Sequence, residues 1–314
     1  MYDLIIIGGG PAGIAAAIYS ARKKLNMLII TDSFGGQSIV SDDIQNWIGE
    51  QHISGVDLAQ KLEDHIRAYE DDIDIEVGKR VRSVEIINDK DNQSRSFEVE
   101  TEKGKIYKSK AIILAVGGRR RKLKVPGEKK FEGKGVTYCS ICDAPLFRDK
   151  AVVVIGGGNA GVEAVVDLLP YAEKIYLLEV DNKLRADQTT QEKIKREDKV
   201  EIILNANTKK ITGEIMVDGL IYEDENEKEQ KLAVQGVFVE IGSVPSSEIV
   251  RDLVEVDKYG QVKTDSKHTT TSQPGIFAAG DVTDDPYKQN NIAVGDGVKA
   301  ALAAFKYLQE IKKD

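Results

Sequence analysis

Two strand–glycine turn–helix units in one chain of 314 residues predict an α/β fold of two three-layer, Rossmann-like domains. The first unit is the apolar run 2–7, the turn Gly8-Gly9-Gly10-Pro11-Ala12-Gly13, and an Ala-rich helix over 14–22. The second is the apolar run 151–155, the turn Gly156-Gly157-Gly158-Asn159-Ala160-Gly161, and a helix start. A third observation fixes the order of the parts. Residues 275–279 form a short apolar strand ending in Gly280-Asp281, which returns the chain to the first domain. The length also exceeds what one ordinary core encloses. One domain is therefore assigned to residues 1–115 and 246–314, and the other, inserted between them, to 116–245.

The glycines carry the chemistry of the turns. In this arrangement the first makes the turn, the second lets backbone approach a pyrophosphate, and the third lets the helix lie close to the strand. The diphosphate then sits at the helix N-terminus. Gly8, Gly10 and Gly13 take these roles in the first turn, and Gly156, Gly158 and Gly161 in the second. One such turn is weak evidence; two, each after a β-branched strand, point to two dinucleotides, a flavin and a nicotinamide.

The elements follow in order. Residues 27–31 read as the second strand, and 32–37 as a loop suited to lie along a nucleotide, with Gly35, Gly36 and Gln37. Asp32 stands about where an acid meets a ribose hydroxyl, or else caps a turn. Residues 55–69 have helical apolar spacing; 82–88 and 96–101 alternate as strands around a hairpin tip at 89–95. A buried strand over 111–116 ends in Gly117-Gly118, and the basic run 119–124 is the first crossing between domains, a solvated linker or a guide for an acidic partner. Beyond the second turn come a strand at 174–179 ending in Glu179, a helix at 189–195, strands at 200–204 and 216–222, a hairpin loop at 223–231, and a strand at 236–241. The second crossing lies near Pro245. Asp281 is either a cap or an acceptor for a flavin ribityl hydroxyl; Lys288, Gln289 and a helix over 295–308 close the chain.

Cys139-Ser140-Ile141-Cys142 holds both cysteines of the chain, at the spacing of a small-ring disulfide that opens and closes readily. Half a zinc site has the same spacing. Structural zinc takes four Cys or His ligands, and His52, His65 and His268 are scattered without ligand spacing, so no metal is expected. The redox dithiol thus lies just ahead of the second glycine turn.

Composition narrows the class. Forty-four basic and 52 acidic residues give a net charge of −8, which argues against general nucleic-acid affinity. No stretch approaches the ~18 consecutive apolar residues of a membrane span, and no signal peptide is evident. A cytoplasmic enzyme is expected, with no structural disulfide framework because both cysteines are committed to one motif.

These motifs resemble the low-molecular-weight thioredoxin reductases over essentially the whole chain. The resemblance rests on Gly8 to Gly13, Gly35-Gly36-Gln37, Cys139 to Asp143, Gly156 to Gly161, Gly280-Asp281 and Tyr287-Lys288-Gln289. The stretches around Gly135 to Cys139, Cys142 to Phe147 and Ala186-Asp187-Gln188 resemble the flavoprotein subunit of alkyl hydroperoxide reductase. That flavoprotein begins with thioredoxin-like folds; here the fingerprint starts at residue 8, so a separate disulfide protein, thioredoxin- or glutaredoxin-like, is the expected partner. The resemblance implies FAD on Gly8, Gly10, Pro11, Ala12, Gly13, Asp32, Gly35, Gly36, Gln37, Asn46, Gly117, Gly280, Asp281, Lys288 and Gln289. It implies a nicotinamide nucleotide on Gly156, Gly158, Asn159, Ala160, Gly161, Glu179 and Arg185. Cys142 would face the flavin, Cys139 would attack the partner disulfide, and Asp143 would be the acid-base group. A homodimer is implied too, with domain rotation hinged near Gly117 and Pro245.

Two departures from the family pattern matter. NADPH-using members carry a His-Arg-Arg run and a later Arg for the 2′-phosphate; here Glu179-Val180-Asp181 replaces the run and only Arg185 resembles the later Arg. NADH is therefore expected over NADPH. Val116 also replaces a usual Thr, a change given little weight. Other classes remain open: a flavin NADH oxidase, a non-catalytic flavin module, or a reductase fed by reduced ferredoxin, the last disfavoured by the intact second turn.

Overall fold

The computed structural model describes residues 1–41, 43–88 and 95–312. The chain divides into two compact units, one of Met1–Asp43, Trp47–Arg119 and Val244–Asp314, the other of Ile44–Asn46 and Arg120–Ser243.

The first unit is built on a seven-stranded sheet, in the order Asp74–Val77, Met27–Phe34, Tyr2–Gly9, Ile106–Leu114, Arg95–Thr101, Val81–Asn88, with Ile276–Ala278 also on Ile106–Leu114. Its first strands are parallel, and the Val81–Asn88 and Arg95–Thr101 strands pair antiparallel. The long Ile106–Leu114 strand pairs with Tyr2–Gly9 and with two further strands. Its first half pairs antiparallel with Arg95–Thr101, and its second half pairs parallel with Ile276–Ala278. Strand alternation gives the sheet two apolar faces. Leu4, Ile6, Met27, Ile29 and Ile113 pack with Ile14, Ala17, Ala300 and Ala304 of the Pro11–Arg22 and Asn290–Glu310 helices. Ile5, Ile7, Leu28, Ile30 and Leu114 face Phe97, Val99, Val254 and Val262. Burying each such side chain contributes about 1.5–3 kcal/mol, which is why the continuous apolar run folds as a central strand.

The second unit repeats the plan. Five parallel strands stand in the order Val200–Ile203, Lys174–Leu178, Ala151–Ile155, Gly236–Val239, Val136–Thr137. One face, with Val152, Val154, Ile175, Leu177 and Phe238, packs on Val162, Val165 and Leu168 of the Asn159–Leu168 helix and on Ile194. The other, with Val153, Ile155, Val237 and Val239, packs on Ile211, Val217 and Leu220 of an antiparallel three-stranded sheet. Both units are three-layer α/β, as expected.

The structure differs from the sequence reading at several edges. The second strand continues to Phe34, and Gly36–Val40 is a turn of 3-10 helix where a loop was expected. The C-terminal helix begins at Asn290, five residues before Gly295. Residues 223–231, read as a hairpin loop, do join two antiparallel strands, but they also hold the end of Val217–Glu223 and the start of Glu229–Leu232. Asn207–Gly213 and the polar half of Ile106–Leu114 were missed as strands, because each presents lysines on a solvated face and is held by its antiparallel partner. The hairpin tip at 89–95 lies outside the described residues for 89–94. The crossings Gly118–Arg120 and Ser243–Pro245 pair as a two-stranded sheet, so Arg119 and Arg120, the first two residues of the basic run, are strand and not linker. Among the described residues, no helix is long and apolar enough to cross a membrane.

Candidate active site

Gly8 opens the first turn at φ +115, and Gly156 opens the second at φ +120, a region favouring glycine. A side chain on Gly8 would strike the Ala115 carbonyl; one on Gly156 would strike that of Glu240. The third glycines match as well. A Cβ on Gly13 would run into the Gly8 carbonyl oxygen, and one on Gly161 into that of Gly156, so each helix lies against its own turn.

The middle glycines behave differently. A Cβ on Gly10 would meet only the Gly36 Cα, at 3.8 Å, and one on Gly158 would meet no protein atom within 4 Å. Nothing in the chain itself demands glycine at either place. Both positions keep open the space over a helix N-terminus where a diphosphate binds, and the two turns therefore fit the groups their sequence implies.

In the first unit that space is a cavity of about 580 Å³. Of the expected FAD residues, Gly8, Gly10, Pro11, Ala12, Asp32, Gly36, Gln37, Gly117, Gly280 and Asp281 line it. Gln37 donates to the Asp281 carboxylate at 3.1 Å, joining the 3-10 turn to the returning segment. Gly13 and Gly35 stand behind the lining: Gly13 against Gly8, and Gly35 donating its amide to the Gly9 carbonyl at 3.0 Å. Asn46, Lys288 and Gln289 are not brought to the cavity. Asn46 belongs with the second unit, the half-buried Lys288 ammonium donates to the Thr283 carbonyl at 2.6 Å, and Gln289 caps the last helix. Burial lowers the Lys288 pKa, with Asp281, Asp285 and Asp284 opposing. Sequence reasoning missed Arg80, Arg82, Asn290 and Ala293 in the lining, since no local motif marks them.

The acid positions of the two units are not equivalent. Ile7 pairs with Ile30 as Ile155 pairs with Leu178, so Thr31 is the counterpart of Glu179. Asp32 lies one residue further, exposed, and its carboxylate takes two hydrogen bonds from Arg80, at 2.7 and 3.0 Å. Thr31 is buried and donates to the Ser33 carbonyl at 2.7 Å. Glu179 is 2% exposed and accepts the Gly157 amide at 2.5 Å and the Asp181 amide at 3.0 Å. Its carboxylate is thereby fixed against the glycine turn. Arg185 approaches Glu179 at 3.8 Å and Asp181 at 3.6 Å. Asn159 accepts the Asp187 amide at 2.9 Å, and Ala160 lies exposed in the first turn of the helix.

Cys139 and Cys142 are joined as a disulfide. Cys139 caps the short Ser140–Asp143 helix, and its sulfur accepts the Cys142 amide at 3.3 Å. Asp143 is half-buried and accepts a hydrogen bond from the Thr137 hydroxyl, which also accepts the Cys139 amide at 3.3 Å. Ser140 donates to Asp167 at 2.7 Å. Glu240, which the sequence reading passed over, is 8% exposed, and burial raises its pKa to about 7. An acid at the end of the apolar run 236–239 was the signal that could have found it.

A disulfide beside one of two dinucleotide turns defines the class. Residues 2–297 match the pyridine nucleotide-disulphide oxidoreductases, and the chain belongs to that family. It is 43% identical over 98% of its length to an NADH dehydrogenase of Bacillus subtilis, covering 58% of that protein. It is 44% identical over 98% of its length to the F component of the alkyl hydroperoxide reductase of Pseudomonas aeruginosa, again covering 58%. Thus the chain spans less than two thirds of these curated relatives. Among solved structures it resembles thioredoxin reductase from Streptococcus pyogenes, with TM-score 0.91, 36% identity and 99% of each chain covered. Thioredoxin reductase from Giardia duodenalis gives TM-score 0.89 and 28% identity, covering 98% of this chain and 99% of that one.

Proposed function

We propose that the chain is an FAD-dependent, NADH-preferring disulfide reductase of the thioredoxin reductase type. The observation that carries the reading is the Cys139–Cys142 disulfide in the same unit as the Gly156 to Gly161 turn. The first unit would hold FAD through the open backbone at Gly10, the amides opening the Pro11–Arg22 helix, and Asp281 toward a ribityl hydroxyl. FAD bound there would supply a hydride acceptor and a two-electron donor for the disulfide. Gly158 would admit the nicotinamide nucleotide, with Glu179 accepting its ribose hydroxyls.

Asp143 would hold a proton for the leaving sulfur, since thiol exchange needs one as thiolate departs. Cys139 attacks the partner and Cys142 closes the ring. The electron acceptor is a thioredoxin- or glutaredoxin-like protein disulfide, or a peroxidase module, as the name of the Pseudomonas relative suggests. A cytoplasmic homodimer belongs to the same reading.

Anaerobic titration tests it. NADH should bleach the flavin, and a candidate disulfide protein should restore the colour. Cys139→Ser should keep the bleaching and lose the disulfide reductase activity. The name of the Bacillus relative favours a second reading, NADH oxidation with oxygen or a dye as acceptor. Oxygen consumption that survives loss of both cysteines would select that reading.

A further inference from the structure

Asp143 is tied to Cys139 twice, once through its backbone and once through its side chain. Its amide donates to the Cys139 carbonyl at 3.1 Å. Its carboxylate accepts the hydrogen of the Thr137 hydroxyl, and that same hydroxyl accepts the Cys139 amide at 3.3 Å. A closed ring of hydrogen bonds thus runs from Cys139 through Thr137 to Asp143 and back. The Cys139 sulfur takes a further bond, from the Cys142 amide at 3.3 Å.

Thr137 is suited to hold a carboxylate still. It is buried and ends the short strand Val136–Thr137, in register with Phe238 of the neighbouring Gly236–Val239 strand. Val136 packs into the core on one face of the sheet, so alternation turns Thr137 to the other. A β-branched side chain has few χ1 choices, which fixes the direction of its hydroxyl. A hydroxyl has one hydrogen to give, and here it goes to Asp143.

We propose that Thr137 is the positioning residue of Asp143: its hydroxyl holds the carboxyl at the cysteines, so that a proton reaches the sulfur that leaves. The inference rests on the disulfide reductase reading above. In the exchange the Cys139 thiolate attacks a disulfide, one S–S bond forms as another breaks, and the departing thiolate takes the Asp143 proton. Cys142 then attacks Cys139, and its thiol proton passes through the Asp143 carboxylate to the second departing thiolate. The dithiol loses two electrons and the acceptor disulfide gains them. A general acid works only within about 2.6–3.2 Å of the atom it serves. Misplacing it by about 1 Å costs about 100-fold.

The test needs neither NADH nor a partner protein. The purified protein is reduced with dithiothreitol under nitrogen, freed of it, and mixed with one of two small disulfides. Hydroxyethyl disulfide releases an alkyl thiolate, a poor leaving group that gains from a proton; dithiobis-nitrobenzoate releases an aryl thiolate that departs without one. Cysteines still open to alkylation, counted by mass, read the rate, because the chain has two. Thr137→Val should slow the alkyl disulfide about ten- to a hundredfold and leave the aryl disulfide nearly unchanged. Thr137→Ser keeps both hydrogen bonds and should restore the rate. In an Asp143→Asn background Thr137→Val should add nothing, because both changes act on one proton. Thr137→Ala carries the same expectations if the valine variant does not fold. Equal slowing with both disulfides, a serine variant as slow as the valine one, or a further loss in the Asp143→Asn background overturns the proposal. So does an alkyl rate that Asp143→Asn slows and Thr137→Val leaves unchanged, and that result would spare the reductase reading. An alkyl rate unmoved by Asp143→Asn itself would instead remove the acid role that the reductase reading gives Asp143, and the role of Thr137 with it.

Discussion

The two glycine turns are the same backbone device placed in different surroundings. Gly8 and Gly156 share a positive φ, and Gly13 and Gly161 share the closeness of helix to turn. What differs is the residue that follows the second-strand partner of Ile7 or of Ile155. In the first unit it is Thr31, which closes on its own backbone; in the second it is Glu179, whose carboxylate grips the Gly157 amide. The second unit also carries the disulfide and its carboxylates. A turn therefore specifies that a diphosphate can bind, while the neighbouring side chains specify which dinucleotide and which chemistry.

The largest effect should come from the feature that only the second unit has. Asp143→Asn is expected to slow reoxidation by the partner disulfide about 10²–10⁴-fold while leaving flavin reduction by NADH nearly unchanged. Rapid-mixing measurement of both half-reactions checks this; equal slowing of the two would make Asp143 a structural residue.

Next comes the acid at the strand end. A 2′-phosphate near Glu179 would bring a near-dianion against a carboxylate, with Asp181 close behind and Arg185 already shared between them. Each ~1.4 kcal/mol is tenfold, so NADH should be preferred by about ten- to a thousandfold in kcat/KM. Glu179→Arg should narrow that gap. Equal kcat/KM for NADPH in the unaltered chain would sink the idea.

Within one turn, the middle and last glycines should separate binding from folding. Gly158→Ala meets no protein atom, so stability should stay within about 0.5 kcal/mol while NADH affinity falls at least about tenfold. Gly161→Ala drives a methyl into the Gly156 carbonyl and should cost about 1–3 kcal/mol or more. Thermal melts and NADH titration read both. A Gly158→Ala variant that binds NADH normally would remove the nucleotide from this turn.

The smallest effect is a contrast in acid response. Burial raises Glu240 from 4.5 to about 7, so its proton favours the folded form: this stability is full below 4.5 and is lost as pH rises through 7. Glu76 in the first unit is lowered to about 2 by hydrogen bonds from Lys105, Lys79 and Tyr107, so its contribution is present above 4.5 and lost as pH falls through 2. Urea unfolding of Glu240→Gln against the unaltered chain should show a difference that drifts by up to about 1.4 kcal/mol per pH unit between 4.5 and 7. A constant difference would mean that Glu240 does not hold a proton in the folded state.

Local pattern sufficed wherever one short segment carries its own physics. The apolar runs 2–7 and 151–155 read as central strands because both faces are buried, and the first and third glycines of each turn read correctly because a Cβ there would strike backbone. Cysteine spacing likewise made a disulfide legible before any fold was known. Tertiary structure decided what depends on a distant partner. The lysine-bearing strand Asn207–Gly213 exists because Val217–Glu223 lies beside it, and register with Ile7 makes Thr31 the counterpart of Glu179, with Asp32 lining the cavity one residue further on. Glu240 is an ordinary acid in the sequence. Its pKa rises to about 7 only because folding buries it, and burial is a property of the whole packed unit that no short stretch of residues contains.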